Sequence, residues 1–337
     1  MLGTCTVIVG MIAIYMAGIK HSEKQNILCI ENVNTLKFAF SIIVLFVHVP
    51  QEYQNTLQDL VGSFAYIGVS WFCMISAYGL KCKCICTDYI DHFKYRFTNV
   101  LAPLLVGGVV DLALNVLHCK STFSFIEYDH VYGWIRILLL FYLEFFAVYA
   151  LLTGHIKFQV IDWLLCVIII VQSIFDYFYG KGIFSGWYIE RIGFVTGIII
   201  YDNKKHIDSI VRTHKRMVYV IFALTVASGT IYLKYKYLGF FGGYLLRAIL
   251  EITFLLLLVT ATTKWKFTNV ILNWGAGISY EIYIMHPIVF SILENTLPPK
   301  YNEWFVFIAT IGTLFAAQVL SVLLISLGIK RRIKKIK

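Results

Sequence analysis

Two ionisable residues stand eleven positions apart in one long apolar stretch, Asn34–Val49: Lys37 and His48. Eleven steps of about 100° make about three helical turns, so both side chains project from nearly the same side of a helix. Histidine is the usual general base near neutral pH, and lysine binds phosphate as a point charge. The stretch therefore predicts a membrane helix with a polar stripe facing the inside of a bundle. Alternatively, Lys37 extends to the membrane surface and His48 lies among the headgroups.

Other apolar stretches also contain polar and ionisable residues. Each ionised group in hydrocarbon costs at least a few kcal/mol, so it needs a partner or a function. A carboxylate in mid-membrane, such as that of Glu144, must be protonated or paired. Arg247 and Glu251 are four residues apart and can form a structural ion pair on one helix face. We expect the remaining polar groups to form a chamber for reaction or transport. Alternatively, Arg136 extends outward and His286 is a core histidine. The remaining groups are Glu144, Arg136, Arg191, Ser279 and His286.

The composition limits the class of protein. The chain has 337 residues, of which 59% are hydrophobic and 14% charged, and its mean hydropathy is +0.75. These values exclude a soluble globular protein and a disordered one. A β-barrel would show short alternating segments, whereas this chain has long apolar runs. We therefore predict an all-α polytopic transmembrane bundle.

The apolar runs predict about eleven membrane helices separated by short polar loops. Because the loops are short, any chemistry takes place in or at the membrane. The predicted spans are 2–19, 33–50, 61–80, 97–117, 134–152, 158–175, 183–201, 217–233, 240–262, 276–293 and 304–327.

The distribution of basic residues predicts the orientation. The net charge is +10, but the lysines and arginines lie in short loops and at the C-terminus, which indicates membrane orientation rather than nucleic-acid binding. If the C-terminus is cytoplasmic, twenty of the 29 lysines and arginines fall in cytoplasmic segments and five in outer loops. We therefore expect the N-terminus outside and the C-terminus inside.

Two other kinds of site are not favoured by the sequence. Cys82, Cys84 and Cys86 form a C-x-C-x-C run, but zinc needs further ligands that the neighbouring sequence does not offer, so we expect no metal. The sequence also has no glycine-rich G-x-x-x-x-G-K-[ST] run, which argues against ATP-driven transport by this chain alone.

Four motifs, which begin at Lys37, Phe72, Arg96 and Ile278, occur in this order along the chain. Together they resemble one family, the integral-membrane acyltransferases of family three, which include bacterial O-acetyltransferases of surface polysaccharides. In that family an arginine precedes a histidine by eleven residues, and here Lys37 replaces the arginine and Ala77 replaces a glycine. The similarity extends over about residues 30–325. The matching positions are Lys37 and His48; Phe72, Ser76, Ala77 and Tyr78; Arg96 and Pro103; and Ile278 to Pro287, with a looser match at Trp134, Glu144 and Tyr149.

The resemblance implies three segments: an extra N-terminal transmembrane helix and loop (1–30), a membrane acyltransferase domain (31–329) and a basic cytoplasmic tail (330–337). It implies a multi-pass protein of a bacterial cell membrane whose partners are the lipid bilayer, acyl-CoA and a glycan. Acyl-CoA, in the first place acetyl-CoA, is the donor substrate and no bound cofactor is implied.

The resemblance further implies a role for each candidate residue. His48 would be the base that activates a glycan hydroxyl, oriented by Glu144, or would carry the acyl group as an acyl-imidazole. Two rival hypotheses are a non-enzymatic exporter or flippase for a lipid-linked sugar, and an inactive family member that serves as an assembly partner. The implied donor-binding residues are Lys37, Arg96 and Ser76, and the implied acceptor-binding residues are Arg136, Arg191, Ser279 and His286. Alternatively, His286 or Ser279 would contact the thioester carbonyl.

Overall fold

A computed structural model describes residues 1–21, 28–84, 89–117, 125–180, 186–214 and 216–330, without the side chains of 83–84, 89–90, 125–132 and 299–301. The predicted basic tail after residue 330 and part of the predicted 1–30 segment lie outside these ranges. Long apolar runs form helices here because a helix pairs its own backbone polar groups, as lipid requires.

The elements follow one another as helices, with one short pair of strands. Two further turns, Gln51–Tyr53 and Pro299–Trp304, are 3₁₀-helical. The elements are α1 (Leu2–Gly18), β1 (Ile19–His21), α2 (Ile30–Val47), α3 (Thr56–Gly62), α4 (Tyr66–Cys84), α5 (Tyr89–Val116), α6 (Phe125–Leu152), α7 (Phe158–Tyr179), α8 (Glu190–Asp202), α9 (Lys204–Thr213), α10 (Met217–Tyr235), a π-helical turn (Phe241–Leu246), α11 (Arg247–Lys264), β2 (Trp265–Phe267), α12 (Val270–Thr296) and α13 (Phe305–Ser326).

The predicted all-α membrane bundle is confirmed. Every predicted span falls on a helix, and within the described ranges nine helical segments are long and apolar enough to cross a membrane. The two others are shorter: α1 has 17 residues and α8 has 13. The count of eleven spans and the orientation of the termini stay predictions.

One predicted span begins later than the sequence indicated. The span was expected from residue 183, whereas α8 begins at Glu190. The residues before it are held in a turn: Gly186 has a positive φ of 96° and donates its N–H to Asp176 Oδ2 at 3.2 Å, and Ser173 donates to the carbonyl of Tyr188. The sequence analysis did not predict α9, because its apolar residues form only a narrow stripe within a charged segment.

Small residues bring α4 and α8 into close contact at the centre of the bundle. A Cβ atom on Gly193 would lie 2.4 Å from the carbonyl oxygen of Ser70, and one on Gly197 would lie 2.2 Å from that of Met74. Only glycine therefore allows this backbone approach, as in many membrane helix pairs. The contact fixes α4, which contributes Ser76 to the site described below.

The strand pair joins distant parts of the chain at one end of the bundle. β1 pairs with β2 in antiparallel register, with Ile19 opposite Phe267. Asn32, at the start of α2, donates to the carbonyls of Thr262 and Trp265 and accepts from the N–H of Phe267. We call this end, where α1 and α11 end and α2 and α12 begin, the ribbon end.

Candidate active site

A cavity of about 1040 Å³ lies between α2, α4, α5, α6 and α12. It reaches the ribbon end, because residues 28–31 line it there, and it extends inward to Trp134 and Tyr283. Its volume is at the upper end of the range for small-molecule sites. The polar residues that line it are Glu31, Asn34, Lys37, Ser76, Cys82, Arg96, Asn99 and Ser279, and its aromatic residues are Phe72, Tyr78, Trp134, Tyr142, Tyr280 and Tyr283.

The cavity carries a net positive charge. Lys37 and Arg96 both line it, and their charges repel each other. Lys37 Nζ donates to Asn34 Oδ1 at 3.3 Å, and across the described part of the chain neither cation forms an ion pair with a carboxylate. Glu31 at the rim is neutralised by Lys266. The cavity is therefore suited to an anion.

Several neighbours fix the positions of these side chains. A Cβ atom on Gly79 would lie 2.8 Å from Arg96 Nη2, so the glycine makes room for the guanidinium group. Tyr142 Oη donates to Ser76 Oγ at 3.3 Å. All three residues predicted to bind the donor, together with Ser279 from the predicted acceptor set, lie in this one cavity.

His48 and His286 face each other, with ring centroids 5.0 Å apart. His48 is half-buried at the C-cap of α2, whereas His286 is fully buried within α12. The sequence predicted a role for each histidine, and α2 and α12 bring the two rings together.

Pro287 explains how the ring of His286 is held. A proline has no N–H, so it leaves the carbonyl four residues earlier, that of Tyr283, without its helical partner. His286 Nδ1 lies 2.7 Å from that carbonyl oxygen and supplies the missing hydrogen bond. Since a carbonyl can only accept, Nδ1 carries the proton and Nε2 of the neutral ring has a free lone pair. Nε2 is buried and has no hydrogen-bond partner among the described residues.

Three aromatic residues of the cavity wall, Phe72, Trp134 and Tyr283, pack against one another, and Tyr283 also contacts the histidine pair. Phe72 stacks on Trp134 with centroids 5.8 Å apart, and Trp134 meets the edge of Tyr283 at 4.9 Å. The Tyr283 ring lines the cavity on one side and lies 5.4 Å from the His286 ring on the other. Tyr283 therefore connects the cavity wall to the histidine pair.

The structure places Glu144 with α7 and not beside His48. Its Oε1 accepts a hydrogen bond from Gln172 Nε2 at 2.6 Å, and Arg191 Nη1 donates to Gln172 Oε1 at 3.4 Å. The physical reason is helical rotation: Glu144 follows the cavity-facing Tyr142 by two residues, or about 200°. Among the described contacts Glu144 bonds Gln172 and its Oε2 has no hydrogen-bond partner, so its role in orienting His48 stays a prediction.

The two arginines predicted to bind the acceptor lie outside the cavity. Arg191 is buried in α8 and lies 3.6 Å from Asp176 Oδ2. Arg136 lies near Trp187, since a Cβ atom on Gly133 would lie 2.8 Å from Trp187 Nε1 and 3.4 Å from Arg136 Nη2.

Sequence reasoning missed part of the cavity wall. Trp134 and Tyr280 entered only as parts of motifs, and Asn99 and Tyr142 were not selected. For Asn99 a signal existed: it stands four residues before Pro103, so its carbonyl has no helical donor. Cys82 lines the cavity, whereas the side chains of Cys84 and Cys86 lie outside the described residues.

These features define a polytopic helical membrane protein with a basic cavity beside a pair of histidines. The family model described as "Acyltransferase domain", acyltransferase family 3, matches residues 30–323, and the chain belongs to this family. Searches of curated proteins and of solved structures found no match. The matched residues begin at the start of α2, so α1 lies outside them.

Proposed function

We propose that the protein transfers an acyl group, in the first place acetyl, from acyl-CoA to a hydroxyl group of a surface polysaccharide or lipid-linked glycan. The cavity is the donor site and the histidine pair is the catalytic centre. Family membership supports acyl transfer. That the donor is acyl-CoA and the acceptor a glycan hydroxyl is part of our proposal.

The unneutralised positive charge of the cavity carries this proposal. Acyl-CoA has a large polyanionic end, and Lys37 and Arg96 offer it two cations in one pocket. Lysine binds a phosphate group as a point charge, whereas arginine can bind it through two parallel hydrogen bonds. Ser76 and Asn99 add neutral hydrogen-bonding groups to the same wall.

The position of the cavity mouth is compatible with a cytoplasmic donor. Lys20, Lys264 and Lys266 lie at the ribbon end. The basic helix α9 is at the same end, because Ile207 packs in the cluster that contains Leu28. Basic residues concentrate on the cytoplasmic side of membrane proteins, so we place the ribbon end there.

In the proposed reaction His48 takes the proton of the acceptor hydroxyl as its oxygen attacks the thioester carbon. The carbon–sulfur bond then breaks, and the imidazolium of His48 returns the proton to the CoA thiolate. His286 offers the free lone pair of Nε2 beside His48, which can accept from a second hydroxyl of the sugar and so help to hold the acceptor. Arg136 and Arg191 stay candidates for binding more distant parts of the glycan.

The test uses protein purified in lipid nanodiscs, supplied with labelled acetyl-CoA and glycan extracted from the host. We expect release of the CoA thiol together with label in the glycan, both abolished by His48→Ala. Movement of unlabelled glycan across vesicle membranes without thiol release would support an exporter instead and overturn the proposal.

A further inference from the structure

Helix α1 contributes a side chain that bonds to the backbone of α2. The hydroxyl of Tyr15 donates to the carbonyl of Thr35 and accepts from the N–H of Ala39 at 3.2 Å. In a regular α-helix these two groups, four residues apart, bond to each other. The tyrosine therefore bridges a hydrogen bond of the helix, and insertion of a side chain at such a place bends a helix locally.

Lys37 lies midway between the two bridged residues. Its own carbonyl accepts a hydrogen bond from Ser41 Oγ at 2.8 Å, and the same hydroxyl is 2.9 Å from the carbonyl oxygen of Ser279 on α12. The backbone on both sides of Lys37 is thus held by other helices. The direction in which Lys37 enters the cavity depends on this local geometry.

Tyr15 is itself held firmly. Asn269 Nδ2 donates to the carbonyl of Ile14 at 2.8 Å, and the Tyr15 ring lies 6.0 Å from that of Phe267 in β2. The β1–β2 pairing fixes the chain that follows α1. Because α1 is held in place at the ribbon end, the Tyr15 hydroxyl is fixed where it bonds to the α2 backbone.

We propose that Tyr15 is a positioning residue of the donor site. Helix α1, although outside the family-matched residues, would then be needed for full donor binding. The inference rests on the proposed function, because it assigns Lys37 to the donor. Tyr15 touches no donor atom itself. It sets the α2 backbone so that the Lys37 ammonium group points into the cavity.

The decisive variant is Tyr15→Phe, which keeps the ring and removes only the two hydrogen bonds. We expect the KM for acetyl-CoA to rise about three- to tenfold, the range expected for loss of one or two hydrogen bonds, with little change in kcat. Tyr219→Phe, at a tyrosine that is 65% exposed, is the matched control and should change neither constant. A KM equal to that of the wild type in Tyr15→Phe would overturn the inference.

A double-mutant cycle separates positioning from general structural support. In a Lys37→Met background, Tyr15→Phe should raise the KM no further, because the group that Tyr15 positions is gone. Independent, additive effects would show that the hydroxyl does not act through Lys37 and would overturn the inference.

A final readout needs no donor, so it separates failure of this inference from failure of the proposed function. In a cysteine-free protein, Lys37→Cys is labelled with a maleimide, with and without Tyr15→Phe. A labelling rate that changes at least about threefold supports positioning even if acetyl-CoA is not turned over, since side-chain direction sets access. An unchanged rate contradicts it.

Discussion

Lys37 and Lys81 both belong to apolar helices of one bundle, yet their surroundings are opposite. Lys81 is buried, forms salt bridges with Asp162 and with Asp202 at 3.2 Å, and bonds the hydroxyl of Tyr149 at 3.0 Å. Lys37 lines an open cavity and bonds only the amide oxygen of Asn34 in the described structure. A neutralised cation holds helices together, whereas a cation without a carboxylate partner is available for an anionic ligand.

Arg247 and Arg96 repeat the contrast. Arg247 Nη2 is 3.3 Å from Glu190 Oε1, and its guanidinium lies 4.1 Å from the centre of the Tyr66 ring. Arg96 lines the cavity beside Lys37 and has no carboxylate partner in the described ranges. Lys81 and Arg247 lie among α4, α6, α7, α8 and α11, whereas Lys37 and Arg96 lie where α2 and α5 border the cavity. This division separates the scaffold from the candidate donor site.

The largest expected effect is on folding. Lys81→Met leaves the buried Asp162 without its cation, and removal of one partner of a buried pair destabilises a protein by about 3–5 kcal/mol. We expect a sharp fall in the melting temperature of the purified protein. Lys37→Met, in the same assay, should melt at or above the wild-type temperature. Equal losses in the two variants would remove the distinction between the two regions.

The next effect is on the rate. His48→Gln keeps a hydrogen-bonding group but cannot take a proton, so turnover should fall about a hundredfold or more. Expression and membrane insertion should be unaffected. His155→Gln, at an exposed histidine in the turn after α6, is the control. Near-normal turnover by His48→Gln at neutral pH would mean that the histidine is structural.

Lys37→Met should act on donor affinity. Loss of one charged contact with a phosphate should raise the KM for acetyl-CoA about tenfold while kcat changes little, since the contact is remote from the reacting bond. Lys234→Met, at an exposed lysine of α10, should leave both constants unchanged. A fall in kcat with no change in KM would contradict this assignment and show that Lys37 acts in the chemical step.

The smallest effect belongs to Glu144. In Glu144→Gln a carbonyl oxygen can still accept from Gln172, so turnover should stay within about twofold of the wild type. Steady-state rates at saturating acetyl-CoA measure this. A loss as large as that of His48→Gln would show that Glu144 takes part in catalysis. Its working contact would then be with a group other than Gln172.

The sequence predicted the helices well because each depends on a local apolar run that must pair its own backbone in lipid. It also predicted that Lys37 would lie on a polar stripe, since helical spacing alone determines which side chains share a face. The spacing of residues along one helix cannot, however, identify their partners on other helices. Arg247 was expected to pair with Glu251, four residues along, but the structure pairs it with Glu190 on another helix.

The same limit explains the results at the site. The packing of α2 against α12 brings His286 to His48, which the sequence did not indicate. The carbonyl that holds the His286 ring, released by Pro287, was contained in the sequence. Glu144 was assigned by its depth in the membrane and by a loose motif match, and neither determines the direction in which a side chain points. Tyr15 bonds to α2 across a turn in the chain, which no local pattern indicates.

The most direct test of the donor cavity is calorimetric binding of coenzyme A and of pantetheine, which lacks the phosphate and nucleotide groups. If Lys37 and Arg96 bind the phosphates, the wild type should bind coenzyme A at least about tenfold more tightly than pantetheine, a difference of about 1.4 kcal/mol. The double variant Lys37→Met, Arg96→Met should lose that preference while it keeps the wild-type melting temperature. Equal affinities for the two compounds in the wild type, or an unchanged preference in the double variant, would contradict the account.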